Sequence, residues 1–310
     1  MADRNMRAAH ERFVTASSRG VALALMIVAP VLWSSAGVVA RHIERAEPFE
    51  QVFWRSLFAF AFVFAVLLFQ KSNPGQAVRA AGVPGLISGL MWALMFTAFL
   101  FALSLTTTAN TLVVMSVSPL LTALFASLFL KDPVPLRTWL AAGAAAVGIA
   151  WMFGSSLEKH FLGMAIAFLI PVAAAINVVV LRASAAKLDL VPAVMLGGAL
   201  SCLIALPFAL PLDATPRDVA LLAFLGVFQL GLPCMLLVLA SRSLLAPEIA
   251  LLGLLEVVLG PLWTWLFAGE EPGAATLVGG AIVLAALAAN EIATMLTAMA
   301  SKPSPTRIRG

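Results

Sequence analysis

Ten apolar stretches, each about twenty residues long, follow one another along this chain with only short polar links between them. They fall at approximately 20–40, 50–70, 82–103, 108–130, 136–154, 161–182, 190–211, 217–240, 247–268 and 274–295. A helix of that length spans the ~30 Å hydrocarbon layer of a bilayer. With 62% of residues hydrophobic and 11% charged, the chain belongs with polytopic membrane proteins and not with soluble domains. The reading is an all-α integral membrane protein with ten transmembrane helices. Pro48, Asn73-Pro74-Gly75, Asp132-Pro133, Asp213 to Pro216 and Glu271-Pro272-Gly273 punctuate the links and read as turns.

The formal charge of +4 raises nucleic acid as a partner, but the basic residues are scattered at helix ends. Membrane orientation explains them better, so no nucleic-acid partner is expected. Ten spans place both termini on one side. That side then collects Arg4, Arg7, Arg12, Arg19, Lys71, Arg79, Lys131, Arg137, Arg182, Lys187, Arg242, Lys302, Arg307 and Arg309. The other side keeps Arg41, Arg45, Arg55, Lys159 and Arg217. Basic residues concentrate in cytoplasmic loops, so both termini are expected in the cytoplasm. Residues 1–19 form a polar cytoplasmic tail. The apolar run after it is longer than the core of a signal peptide and reads as the first span. Residues 301–310, Pro/Ser-rich and basic, read as a disordered tail.

A shift of 138 residues lays Ser118–Asp132 over Glu256–Glu270. Leu121, Leu124, Leu128 and Phe129 then meet Leu259, Leu262, Leu266 and Phe267, and Asp132 meets Glu270. The two copies lie in the fourth and ninth spans. Each half holds an odd number of spans, so the copies must be inverted relative to each other. Inverted repeats are how many secondary transporters are built, with substrate near the midplane where the repeats meet. The expected domains are therefore two five-helix repeats, 20–154 and 161–295, around a central cavity.

With Ser118-Pro119 through Leu130-Lys131-Asp132 in one half and Glu256-Val257 through Ala268-Gly269-Glu270 in the other, the chain resembles the drug/metabolite transporter superfamily with paired EamA-type repeats. The resemblance covers residues 20–295. By length and texture it leans toward the exporters of aromatic and neutral amino acids. It implies a multi-pass protein of the bacterial inner membrane. Two departures stand out. Val257 occupies a place where the family often has proline, with Pro261 one turn later, and Asp132 replaces the usual Glu. The first departure shifts the expected bend of the ninth helix toward its outer end.

Glu256 lies in the middle of Leu251–Phe267. A carboxylate at mid-bilayer costs about 3 kcal/mol on insertion scales, so such a residue faces a cavity or a partner. Gly253, Gly260 and Trp263 share its helical stripe. A protonated or paired structural acid is the alternative. Trp33 in the first span and Ser88, Trp92 and Phe96 in the third carry stripes unlike a lipid-facing surface. Met115 and Ser118 in the fourth are counterparts of the Glu256 stripe. Asn177 and Gln229 are amides inside apolar runs, where interhelical hydrogen bonding is the competing role. These ten residues, Glu256 and Trp263 included, are the candidate substrate contacts. Arg55, one turn into the second span, reads as snorkelling to the surface. Pro30, Pro119, Pro171, Pro233 and Pro261 interrupt five helices and are candidate hinges.

An amino acid needs a partner for its ammonium, which Glu256 supplies, and apolar walls for its side chain, which the tryptophans supply. Aromatic walls also suit lipophilic cations. The leading expectation is therefore a secondary transporter exporting small metabolites, neutral or aromatic amino acids first, by alternating access. A multidrug or nucleotide-sugar carrier of the same fold is the rival. An integral-membrane enzyme would need a nucleophile–base pair or metal ligands in mutual reach, and neither is evident. Nothing resembles a channel filter. No G-x-x-x-x-G-K-[ST] loop occurs, which leaves downhill efflux or proton coupling. Cys202 and Cys234 read as small buried hydrophobes. His10, His42 and His160 lie in the tail or at helix ends. No metal and no cofactor is expected. The partners are the substrate and lipid, and a homodimer is compatible with the sequence.

Overall fold

The structure is a computed structural model, and it describes residues 2–70, 73–130, 135–154, 157–184, 188–244 and 246–300. Helices dominate throughout: α1 (Ala2–Ala40), α2 (Pro48–Phe69), α3 (Pro74–Leu105), α4 (Thr108–Met115), α5 (Ser118–Leu130), α6 (Leu136–Gly154) and α7 (Leu157–Ser184). There follow α8 (Val191–Ala209), α9 (Pro216–Phe224), a π-helical stretch (Leu225–Gly231), α10 (Leu232–Ala240), α11 (Ala246–Ala268) and α12 (Ala274–Ala300). Among the described residues, 7 helical segments are long and apolar enough to cross a membrane. They are Arg19–Ala40, Pro48–Phe69, Pro74–Leu105, Thr108–Phe129, Phe161–Leu181, Val191–Ala209 and Pro216–Ala240. Shorter apolar helices cover Leu255–Ala268 and Ala274–Asn290. The protein is an all-helical, multi-pass membrane protein.

Three details depart from the sequence reading. The polar residues before Arg19 are helical and continuous with α1. Asn73-Pro74 does not close a loop but starts α3, eight residues ahead of the expected boundary. The Asn73 side chain accepts from the Gln76 backbone at 3.2 Å and proline takes the first helical position. The same residues serve turns and helix starts, because both need a side-chain acceptor and a preset φ. The helix then breaks at Gly82, at φ +57°, where a side chain would be strained, with Pro84 just beyond. The third departure is a break in the fourth span, at residues 116–117 between α4 and α5. The expected disordered tail 301–310 and the first-repeat Asp132 lie outside the described residues.

Helices of the first half pack on helices of the second. α3 lies against α7 and α8, α2 against α8, α6 against α12, and α1 against α10 and α11. Close approach depends on glycine where α8 meets the first half. A Cβ at Gly197 would stand 2.4 Å from the Trp92 Cβ, and one at Gly198 would stand 3.0 Å from the Phe60 nitrogen. Without a hydrophobic drive between helices in lipid, such small-residue contact is what holds them. The largest apolar cluster includes Val52, Trp92, Phe96, Leu112, Val194 and Cys234.

Polar contacts sort the helix ends onto two faces. On one, Arg41 meets Glu270 at 2.8 Å and donates to the carbonyls of Leu103 (2.9 Å) and Thr106 (3.0 Å). On the same face Asp218 accepts from the backbone of Glu44, Arg45 and Thr215. Glu50 there accepts from the backbone of Asp213 and Ala214. On the opposite face Arg242 pairs with Asp189 at 2.8 Å, and Arg137 donates to the Thr297 hydroxyl at 2.8 Å. Consecutive helix ends thus alternate between faces, as a chain threading back and forth requires.

Candidate functional site

Glu256 sits on α11, with Trp263 two turns beyond. Its side chain is half-buried. No hydrogen bond or ion pair holds its carboxylate among the described residues. Trp263 is tied instead to α1: its indole N–H donates to Ser34 Oγ at 3.1 Å, and Ser34 donates to the Val31 carbonyl. Gly260, between them, admits α4, since a Cβ there would meet Leu112 Cδ1 at 2.3 Å. The stripe read from the sequence is thus divided: Gly260 and Trp263 lock helices together, while Glu256 stays unengaged.

Cys234, at the start of α10, is buried in the apolar cluster that holds Trp92 and Phe96, and Trp33 packs against that cluster. Arg55 does not snorkel. Its side chain is 1% exposed, on the inward stripe of α2 formed by Val52, Arg55, Ser56, Ala59, Val63 and Leu67. That stripe was legible: the spacing places Arg55 beside small residues that face neighbouring helices, not lipid. Arg55 Nη2 donates to the Phe96 carbonyl at 2.5 Å, Nη1 reaches Gln229 Oε1 at 3.4 Å, and the guanidinium stands 5.7 Å from the Phe99 ring centroid.

The remaining candidates fall into two groups. Gln229, on the π-helical stretch, and Phe96 are joined directly to Arg55, and the Trp92 ring lies tilted against Phe96 with ring centroids 5.6 Å apart. Ser88 and Asn177 are engaged with each other, the hydroxyl donating to the amide oxygen at 2.6 Å between α3 and α7. That is interhelical bonding, the competing role considered for Asn177. Met115 packs on the apolar cluster, and Ser118 opens α5. No polar contact brings either of them to Glu256. Of the five prolines, Pro119 follows the break between α4 and α5, and Pro233 follows the π-helical stretch. Pro30, Pro171 and Pro261 lie within helices that continue past them. Beside Pro261, Thr264 Oγ1 donates to the carbonyls of Gly260 and Pro261.

A half-and-half helical bundle with charged groups buried between the halves is the form of a carrier. The family model for the EamA-like transporters matches residues 20–154 and 161–290. The chain belongs to the EamA-like transporter family. Among curated proteins, this EamA-like chain is 28% identical over 244 residues to the pseudopaline exporter CntI of Pseudomonas aeruginosa, from strains UCBPP-PA14 and PAO1. That match covers 76% of this chain and 84% of the relative. It replaces the expected likeness to aromatic amino-acid exporters as the relative in evidence. A crystal structure 18% identical in sequence superposes with a TM-score of 0.64, over 91% of this chain and 99% of that one, which shows a shared fold.

Proposed function

We propose that this EamA-like transporter exports small amino-group-bearing metabolites, with amino acids the first class to try, by alternating access across the bacterial inner membrane. In this reading its ten helices form two inverted five-helix repeats, 20–154 and 161–295, with both termini in the cytoplasm. The observation that carries it is Glu256, an acidic group midway along an apolar helix with no hydrogen-bond or ion-pair partner among the described residues. An acid so placed is costly unless something compensates it, and a substrate ammonium does so. Trp33, on α1, which packs against α11, offers an apolar and cation-tolerant wall.

The likeness to a pseudopaline exporter supports a second reading, in which the cargo is pseudopaline or a related metabolite. Both readings are tested by one measurement. Proteoliposomes loaded with labelled amino acids, pseudopaline or a lipophilic cation are assayed for exchange, with and without a proton gradient. Exchange of amino acids supports the first reading, and exchange of pseudopaline alone supports the second. Movement of only the lipophilic cation overturns both.

A further inference from the structure

Among the described residues, Arg55 is a buried cation with no anion against it. Its two hydrogen-bond acceptors are neutral, one of them at 3.4 Å, and its Nε has no partner at all. The acids nearest in sequence or at the α2 end are committed elsewhere. Glu50 accepts from Trp54 Nε1 as well as from the backbone of Asp213 and Ala214, and Asp218 caps three other backbone N–H groups. A charge taken out of water without a counter-charge costs several kcal/mol, and removal or pairing is the usual remedy. Here the surroundings are instead shaped to keep it. Gly226 admits the Arg55 backbone, its Cβ position lying 2.5 Å from the Arg55 carbonyl oxygen. The π-helical stretch that begins there carries Gln229 to the guanidinium. Such π-turns recur at functional sites because they re-aim a side chain.

A second donor in the neighbourhood is also unmatched. Trp92 is 5% exposed, its indole N–H has no partner among the described residues, and its ring lies tilted against Phe96, whose carbonyl holds Arg55. Two buried N–H donors without acceptors, one of them cationic, describe a place that an anion completes. Trp33 of α1 packs against the apolar cluster that holds Trp92 and Phe96, and α1 also packs on the π-helical stretch of Gln229 and on α11, the helix of Glu256. We propose that Arg55, with Trp92, forms an anion subsite that takes the substrate's carboxylate while Glu256 takes its ammonium. The inference rests on the exporter reading and narrows its cargo to zwitterions. The Arg55 donors are buried as they stand, so the subsite opens only as the halves move.

The test separates the two charges. Purified full-length protein is titrated with phenylacetate, which has the carboxylate alone, and with phenethylamine, which has the amine alone. Apparent affinities are read from ligand-induced thermal stabilisation of the wild type, Arg55→Gln, Arg55→Lys and Glu256→Gln. Phenylacetate should stabilise the wild type and Glu256→Gln. It should bind Arg55→Gln at least about 10-fold more weakly, the usual cost of a lost charge-assisted pair. Phenethylamine should show the mirror pattern, sensitive to Glu256→Gln and changed less than twofold by Arg55→Gln. If Arg55→Gln does not fold, Arg55→Lys decides. It keeps the charge but loses the planar fork, and should weaken phenylacetate by about 3- to 10-fold without affecting phenethylamine. A wild type indifferent to phenylacetate overturns the subsite, and so does an equal loss for both ligands in the Arg55 variants. An Arg55-dependent response to added phosphatidylglycerol alone assigns the charge to lipid and overturns it as well. Insensitivity of phenethylamine to Glu256→Gln counts against the Glu256 reading and leaves the Arg55 result standing.

Discussion

Arg41 and Glu270 are 229 residues apart in the chain and 2.8 Å apart in space. Their pair closes one face of the bundle by joining the end of α1 to the end of α11. It also reaches the start of α4, since Glu270 accepts from the Thr108 backbone at 2.5 Å and Thr108 Oγ1 donates to it at 3.2 Å. One carboxylate therefore caps a helix and neutralises an arginine at once. A carrier that alternates must undo such a contact in one of its two states.

Glu270→Gln keeps the shape and a hydrogen bond to Thr108 but loses the charge. The pair is partly exposed, at 34% for Arg41 and 15% for Glu270, so solvent screening limits the stability lost to about 1 kcal/mol. The larger effect should be conformational. Labelling of a cysteine introduced at the buried Ala36 of α1 should quicken from the Arg41 face in Glu270→Gln. Unchanged labelling together with an unchanged melting temperature would show the pair to be ornamental.

The alternation of helix ends makes a topological prediction. Single cysteines at positions 45 and 213 should react with an impermeant reagent from one side of the membrane, and those at 189 and 242 from the other. The native Cys202 and Cys234 are buried and should give little background. Reaction of 45 and 242 from the same side would break the threading described above. With the basic residues distributed as they are, the side of 189 and 242 should be the cytoplasm.

Pro119 follows the gap between α4 and α5, where the Ser116 hydroxyl is bound to the Val113 carbonyl at 2.6 Å. Proline has no N–H to donate across that gap. Pro119→Ala restores a donor and favours a continuous helix, so exchange should slow several-fold with little change in half-saturating substrate. The opposite result, a weakened affinity at an unchanged rate, would make Pro119 part of the substrate site.

Much of the fold was legible because apolar length and loop charge are strong, local signals. The helix starts that misled were those where one residue type serves two purposes, as Asn73 and Pro74 do. The site was legible only in part. Glu256 announced itself because an acid deep in an apolar run has few excuses. Arg55 lay nearer the end of its run, where snorkelling is the cheaper reading, and only its phase with Ser56 and Ala59 indicated the inward face. Cys234 offered no signal, since its importance lies in which helices converge on it. The pairing of Ser88 with Asn177 also depends on tertiary packing, which a single sequence does not display.

The last prediction concerns Glu256. Its carboxylate has no protein partner, so its replacement by an amide of the same shape disturbs no structural contact among the described residues. Glu256→Gln should therefore fold and melt like the wild type. If the carboxylate receives the substrate's ammonium, the variant loses a charge-assisted hydrogen bond, about 1.5–3 kcal/mol, which is roughly 10- to 100-fold in affinity. Counterflow exchange at low substrate should fall accordingly and recover at high substrate. If the carboxylate carries a coupling proton instead, counterflow should survive while acceleration by a pH gradient disappears, because an amide cannot take up and release the proton. The first outcome is the one expected here, since an exporter of zwitterions needs a group for each charge. A variant with wild-type counterflow and wild-type pH dependence would leave Glu256 with no part in transport and remove the basis for the proposed function.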